Sequence, residues 1–444
     1  MNRWTRWISA TAAVLALGCG EIDVPNLNNL PTVTLTRAPT RGLVLSASTG
    51  LLIGTRFAVA QPNGYVAMLG ILGRESYNFD RADPRFISEM LEAPALDPAS
   101  PAFGGNFWGQ PYANIRNANS LITALDAVPN VTGEEKSAIR GFARTIMALD
   151  FLMVAMTRYS APEGCGPVDV NRPVGDPLAP IVSKDEMLTH IFTLLDEAKT
   201  DLEGGGSTFP FALSSGFDGF DTPATFLKVN RALQARVQVY RSQWAAAKTA
   251  LDASFVDGGA SFALGAYHSY GNGSGDRPNG LISPNLFAHP KLVTEAEAGD
   301  ARLSKIRTLP ETTTLRGISS DKAFTLYQTG DSPVPIVRNE ELILLRAEIA
   351  AQQGDFATVL ADVNLIRTTH LLPAKVAADL DTLGESIDEI LQQRRYSLMF
   401  EGGHRWIDLR RYGRLSDPGL KDLPTHNVHE TYLIPIAEMD ARGG

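Results

Sequence analysis

Four stretches of this chain join a helix-start signal to apolar residues that recur every three or four positions. That combination commits most of its ordered mass to amphipathic helices. In Thr132-Gly-Glu-Glu135 the hydroxyl and the Glu135 carboxylate can each satisfy the other residue's free backbone N–H. Ile139, Phe142, Ile146, Leu149, Met153 and Met156 then share one face. Ser183-Lys-Asp-Glu186 repeats the signal ahead of Leu188, Ile191, Leu195, Ala198 and Leu202, and Gly204-Gly-Gly206 ends the helix. Thr222-Pro223 sets an N-cap before a proline in the first turn and leads into Phe226, Val229, Leu233, Val237 and Tyr240. Ser386-Ile-Asp-Glu389 reads as a fourth capping box.

Two segments have the form of helical hairpins. One runs from Asn339 to Thr368, with its first helix ending at Gly354 and Asp355 capping the second; the other surrounds a turn near Ser242. Small residues at helical spacing (Ala232, Ala235, Ala347, Ala350) allow close antiparallel packing, as in tetratricopeptide units. The hairpins lie far apart in the chain, separated by inserts at 61–110, 162–182, 204–221 and 255–337 that are rich in Gly, Pro, Asn and Ser. Loops this long are functional or disordered. The expected fold is mainly α, a tetratricopeptide-like scaffold with long irregular inserts.

With 40 basic and 49 acidic residues the formal charge is −9, which argues against a nucleic-acid partner. An apolar fraction of 44% excludes wholesale disorder. The first residues place Arg3 and Arg6 before a short apolar run, Ile8 to Leu17, and end at Gly18-Cys19. The run is too short to span a bilayer and reads as an export signal, residues 1–18. Its end looks like a bacterial lipoprotein signal, which would leave Cys19 acylated and the protein anchored to a membrane by lipid. Plain secretion is the alternative, with Cys19 free to pair with Cys165. Residues 19–31 form a Pro/Asn-rich tether.

The segment 390–413, Ile390 to Gly413, resembles the most recognisable motif of the SusD/RagB family. Arg394, Glu401, Gly402, Arg405, Trp406, Asp408, Leu409, Arg411 and Gly413 match it, whereas Gln393, Ser397 and an extra Gly403 depart from it. The tether, the Tyr112-to-Asn119 helix start, both hairpins and the Tyr432-to-Asp440 ending are also similar, so residues 19–444 are expected to form a single SusD-like domain. The resemblance implies an outer-membrane lipoprotein, cell-surface exposed, that binds oligosaccharide or peptide nutrients. It would deliver them to a SusC-like TonB-dependent transporter, with no cofactor and no chemistry of its own. Read from the residues, the motif is structural: arginines alternating with Glu401 and Asp408 among bulky apolar groups suit buried ion pairs between helices.

No P-loop, HExxH, GxSxG or CxxC motif occurs. His426 and His429 read as surface histidines rather than metal ligands, and Cys165 has no histidine near it in sequence to activate it. Aromatic residues in the inserts are the ligand candidates: Tyr267, His268 and Tyr270 before the glycine-rich run at 271–275, and Arg74, Tyr77 and Asn78. Tyrosine offers a sugar ring a flat apolar face, and Arg and Asn bind hydroxyls. Packing of these tyrosines against the scaffold is the competing reading, and packing is expected for Trp108 and Tyr112. Two rival functions remain, a surface-anchored glycoside hydrolase and a tetratricopeptide scaffold for envelope assembly.

Overall fold

The computed structural model describes residues 32–100, 104–172, 175–273 and 276–443. The leader, Cys19 and the 19–31 tether lie outside the described residues. The helices of eight or more residues are α1 (Arg41–Arg56), α2 (Tyr65–Leu72), α3 (Asn106–Ala127), α4 (Gly133–Thr157), α5 (Lys184–Glu203), α6 (Pro223–Tyr240), α7 (Trp244–Asp252), α8 (Asn339–Gln352), α9 (Phe356–Thr369), α10 (Leu383–Ser397) and α11 (His404–Arg411).

Three of the four sequence-predicted helix starts form as expected. Thr132 and Glu135 make the reciprocal pair, with Thr132 N–H donating to the Glu135 carboxylate at 2.8 Å. Ser183 and Glu186 do the same, and Thr222 caps α6 through Thr225. The fourth is displaced by one turn. Thr382 caps α10, its hydroxyl accepting from Glu385 N–H, while Ser386 sits buried inside the helix and donates to Leu380 O at 3.0 Å. Thr382-x-x-Glu385 has the same spacing as Ser386-x-x-Glu389, and the earlier start leaves Ile387, Ile390 and Leu391 on the core face.

Each helix packs on its successor from α3 through α9, and α1 and α10 join α3 and α8. The turn between α6 and α7 includes Ser242 (φ 56°), and Gly354 (φ 77°) with Asp355 joins α8 to α9. Because α7 packs directly on α8, the helical array closes behind the 255–337 insert, which loops out of it.

The inserts are more regular than their composition suggests. They carry four antiparallel two-stranded sheets: β1 (Ser76–Asn78) with β5 (Leu286–Ala288), β2 (Gly166–Pro167) with β3 (Ile181–Val182), β4 (Gly265–His268) with β8 (Val334–Arg338), and β6 (Ile306–Leu315) with β7 (Ile318–Phe324). The β1–β5 pair, Tyr77 opposite Phe287, ties the two inserts expected to face ligand. Those inserts also have a hydrophobic core of their own, distinct from that of the scaffold. It is built around Phe400 and Trp406 of the C-terminal motif, with Tyr77, Phe79, Tyr270, Phe287, Tyr327 and Tyr432 packed around them.

Most charged residues of that motif pair as the sequence suggests. Arg394 meets Asp408 at 2.7 Å, and Arg411 bridges Asp408 and Glu348. Glu401 accepts from Arg338 at 2.7 Å. Their side chains are all buried, and each anion sits with a hydrogen-bonded cation. Arg405 makes no ion pair among the described residues. The extra Gly403 has a physical reason: it starts α11 at φ 70°, and a Cβ there would collide with the Leu69 side chain of α2.

Candidate ligand-binding groove

The β6–β7 hairpin turns on Arg316 (φ 49°) and Gly317 (φ 84°), a two-residue loop with both residues in the left-handed region that suits the strand twist. Threonines at 308 and 312–314 favour the extended conformation on either side of Pro310, where the register shifts. The hairpin base, the chain following it and the segment 281–287 enclose a groove of about 550 Å³. Phe324, half-buried, lines it. One face of its ring lies on Phe400, with centroids 4.1 Å apart and planes at 3°, leaving the opposite face to present. Phe287 and Tyr327 complete the apolar floor, and the Tyr327 hydroxyl is fixed by donating to Phe400 O at 3.0 Å.

Polar groups surround this platform. Arg307 is exposed and has no ion pair among the described residues. Gln328 donates its amide N–H to Thr325 O at 3.2 Å, which orients the side chain. Ser283 adds a hydroxyl. A flat apolar face ringed by a free guanidinium, an amide and a hydroxyl can receive a sugar ring and hydrogen-bond its hydroxyls.

The residues singled out in sequence lie behind this surface. Arg74 is buried and donates to Ile71 O, Leu420 O and Asn427 O, with Asp422 at 3.4 Å. Tyr77 is buried in β1, its hydroxyl 2.9 Å from His289 Nε2, and His289 in turn meets Asp422 at 2.8 Å. Asn78 is buried beside it and donates to Pro62 O. His268 is buried, and desolvation pushes its pKa down to about 3. Tyr270 is buried, with the Arg56 guanidinium 5.6 Å from its ring centroid. Tyr267 is half-buried and donates to Ala263 O. Arg74, Tyr77 and Asn78 thus share the β1–β5 junction, while Tyr267, His268 and Tyr270 flank β4; none lines the groove. The glycine-rich run is pinned at its ends: Gly271 N–H donates to Arg277 O, and Asp276 pairs with Arg56. Ser274 and Gly275 lie outside the described residues.

His426 and His429 are buried rather than on the surface. His426 lies 3.6 Å from Asp422, and His429 supplies the carbonyl that Trp406 Nε1 binds at 2.8 Å. No group of three metal-ligating side chains occurs among the described residues. Cys165 is buried, and desolvation raises its thiol to about 12, far from a nucleophile's range. No described helix is long and apolar enough to cross a membrane.

Sequence reasoning missed the groove residues because the turn that brings Arg307 to Phe324 and Gln328 is explained only by a hairpin. Arg316-Gly317 after the Thr312-to-Thr314 run was the available signal.

Residues 298–439 match the model of the SusD family. The chain also has the fold of solved SusD-like proteins. A laminarin-binding SusD-like protein superposes with a TM-score of 0.66 at 18% identity, covering 90% of this chain and 98% of the other. Surface glycan-binding protein A from Bacteroides thetaiotaomicron, in complex with laminarihexaose, gives 0.67 at 16%, covering 91% and 98%. A SusD superfamily protein from Bacteroides vulgatus gives 0.65 at 14%, covering 90% and 96%. No curated protein matches the chain.

Proposed function

Residues 298–439 are SusD-family sequence and the chain has the SusD fold, and from that premise we propose that it captures oligosaccharides in the groove between residues 281 and 328. The observation that carries this is the Phe324 ring, backed by Phe400 and flanked by the unpaired Arg307 and by Gln328. Glycan binding by solved proteins of this fold supports the same reading. Tyr77 and Asn78 act by holding a wall, since they pair with Phe287 and Leu286, themselves lining residues.

Capture proceeds without cleavage in this reading. Glycoside hydrolysis needs two carboxyl groups flanking the bond, and the groove lining consists of apolar residues, hydroxyls, an amide and a guanidinium. Cys19 carries the lipid anchor at the outer membrane, and a SusC-like TonB-dependent transporter receives the ligand at the cell surface. The Gly18-Cys19 signal supports the anchor, and the resemblance to the SusD family supports the transporter and the surface location.

The test is calorimetry of a panel of neutral hexasaccharides against the wild type and Arg307→Ala with Gln328→Ala. At least one glycan should bind, and the double variant should weaken it tenfold or more, about 1.4 kcal/mol, with an unchanged melting temperature. Equal affinity in the variant rejects the groove, and release of reducing ends from any glycan rejects capture without cleavage.

A further inference from the structure

A second cleft, of about 540 Å³, lies between the first turns of α3, residues 167–172 and 175–179 of the insert and the short C-terminal helix Ile436–Ala441. It shares no residue with the groove above. The half-buried Tyr112 forms its floor together with the buried Trp108 one turn before it on α3, their rings edge-on with centroids 4.8 Å apart. The floor is braced on its protein side. Tyr112 donates its hydroxyl to Pro167 O at 2.9 Å, and the Arg158 guanidinium sits 5.4 Å from the Trp108 ring centroid. Gly166 (φ 147°) lets the β2 backbone lie against both rings, since a Cβ there would strike the Tyr112 hydroxyl and come within 3.2 Å of the indole. The Trp108 indole N–H has no hydrogen-bond partner among the described residues.

The charges around the cleft define what it can take. Asp169 and Arg172 neutralise one another at 2.8 Å, as do Glu438 and Arg442 at 2.6 Å. Arg442 also donates to Ala179 O at 2.7 Å and so fastens the C-terminal helix to the insert. Arg116 on α3 and Asp176 on the insert are exposed and have no ion pair among the described residues. Besides the Trp108 N–H, the free side-chain donors and acceptors are thus one cationic and one anionic group over an aromatic floor. Each hydroxyl of a sugar both donates and accepts, so a neutral ring satisfies Arg116 and Asp176 together while its apolar face covers the aromatics. A uronate or phosphate would meet Asp176 unfavourably, and an amine would meet Arg116. The volume lies within the range of small-ligand sites.

We propose that this cleft is a second binding site for neutral oligosaccharide. The identity of the ligand class rests on the glycan-capture reading; the cleft and its residues do not. A chain that holds glycan at two places would engage a polymer with two contacts on one strand, raising its effective affinity without strengthening either site.

The full chain labelled with 5-fluorotryptophan supplies a local probe, because Trp108 reports on this cleft and its fluorine resonance is assigned by Trp108→Phe. The probes are laminarihexaose, cellohexaose, maltohexaose, xylohexaose and mannohexaose, with glucuronate and a neutral tripeptide as controls. At least one hexasaccharide should move the Trp108 resonance. It should do so equally in the Arg307→Ala, Gln328→Ala variant, whose groove is disabled. Arg116→Ala with Asp176→Asn should weaken that response tenfold or more at an unchanged melting temperature. Three results overturn the proposal: a Trp108 resonance that no hexasaccharide moves, one moved only by glucuronate or the tripeptide, or one whose response disappears in the groove variant. Calorimetric binding that is lost on Arg307→Ala while Trp108 stays silent rejects this site and leaves the groove standing. A Trp108 response in a chain whose binding ignores Arg307 does the reverse.

Discussion

Phe324, at the end of β7, lies flat on Phe400, which follows helix α10 in the C-terminal motif; their ring centroids are 4.1 Å apart. Phe400 is fully buried, and its backbone also holds Tyr327 and Glu75. The wall of the groove is therefore mounted on the part of the chain that the family motif builds. Stability and binding meet at this stack, and substitutions on its two sides should separate them.

Phe400→Ala removes a core ring that Gly70, Phe324 and Tyr327 pack around, and should cost about 3–5 kcal/mol in urea unfolding. Phe324→Leu keeps most of the volume and loses the flat face. Glycan affinity should then fall about tenfold, while the unfolding midpoint moves far less than in Phe400→Ala. If Phe324→Leu binds as the wild type does, the ring is only a lid on Phe400 and not a platform.

The buried ion pairs make a second expectation. Asp408 sits between Arg394 and Arg411, with Arg394 carrying two guanidinium nitrogens that have no other partner. Asp408→Ala leaves Arg394 as a buried unpaired cation and should destabilise by about 3–5 kcal/mol. Arg394→Met combined with Asp408→Leu removes both charges and should recover much of that loss. Urea denaturation of the two variants side by side decides it; a double variant worse than the single would mean the pair contributes net stability of its own.

How much of this was legible in the chain depends on the range of the interaction. Caps are local, so Thr132, Ser183, Thr222 and Asp355 were readable, and the one displaced start arose from two overlapping signals of equal spacing. That the motif's arginines and carboxylates form buried pairs was readable from their alternation, as for Arg394 and Asp408, but nothing near Glu401 in sequence names Arg338 as its partner. The burial of the insert aromatics was hidden for the same reason. Tyr77 and Tyr270 look exposed in Gly-rich surroundings, yet what covers them, His289 and Arg56, comes from distant parts of the chain. Composition reports which residues a loop has and not what folds over them.

Gly403→Ala tests the departure from the family motif. Both the positive φ and the contact with Leu69 oppose a side chain, so the variant should lose about 1–3 kcal/mol. Adding Leu69→Ala removes the contacts with the Leu69 Cγ and Cδ atoms but keeps the one with its Cβ and the backbone strain, and opens a cavity in the insert core. It should therefore fail to restore the wild-type melting temperature. Full restoration would show that φ at 403 carries no penalty.

Glu75 offers a prediction with a definite sign. It is buried, its Oε1 accepts from Phe400 N–H at 3.2 Å, and Oε2 has no partner. Desolvation raises its pKa to about 7 against the Phe400 hydrogen bond, which lowers it. The folded state therefore holds this proton more tightly than the unfolded one. The resulting stability is fully present below about pH 4.5 and is lost as pH rises to about 7, at about 1.4 kcal/mol per pH unit. His268 and His404, pushed down to about 3 and about 4 by burial, act in the opposite sense, because their contribution is lost as pH falls below the ordinary histidine range. The whole-protein pH profile mixes the two, so the useful quantity is the difference between the wild type and Glu75→Gln. Glutamine accepts the Phe400 N–H in the same way and never ionises. The variant should match the wild type in melting temperature near pH 4.5 and exceed it increasingly up to about pH 7, with a constant gap above. A gap that does not change with pH would mean that Glu75 is charged in the folded protein throughout that range.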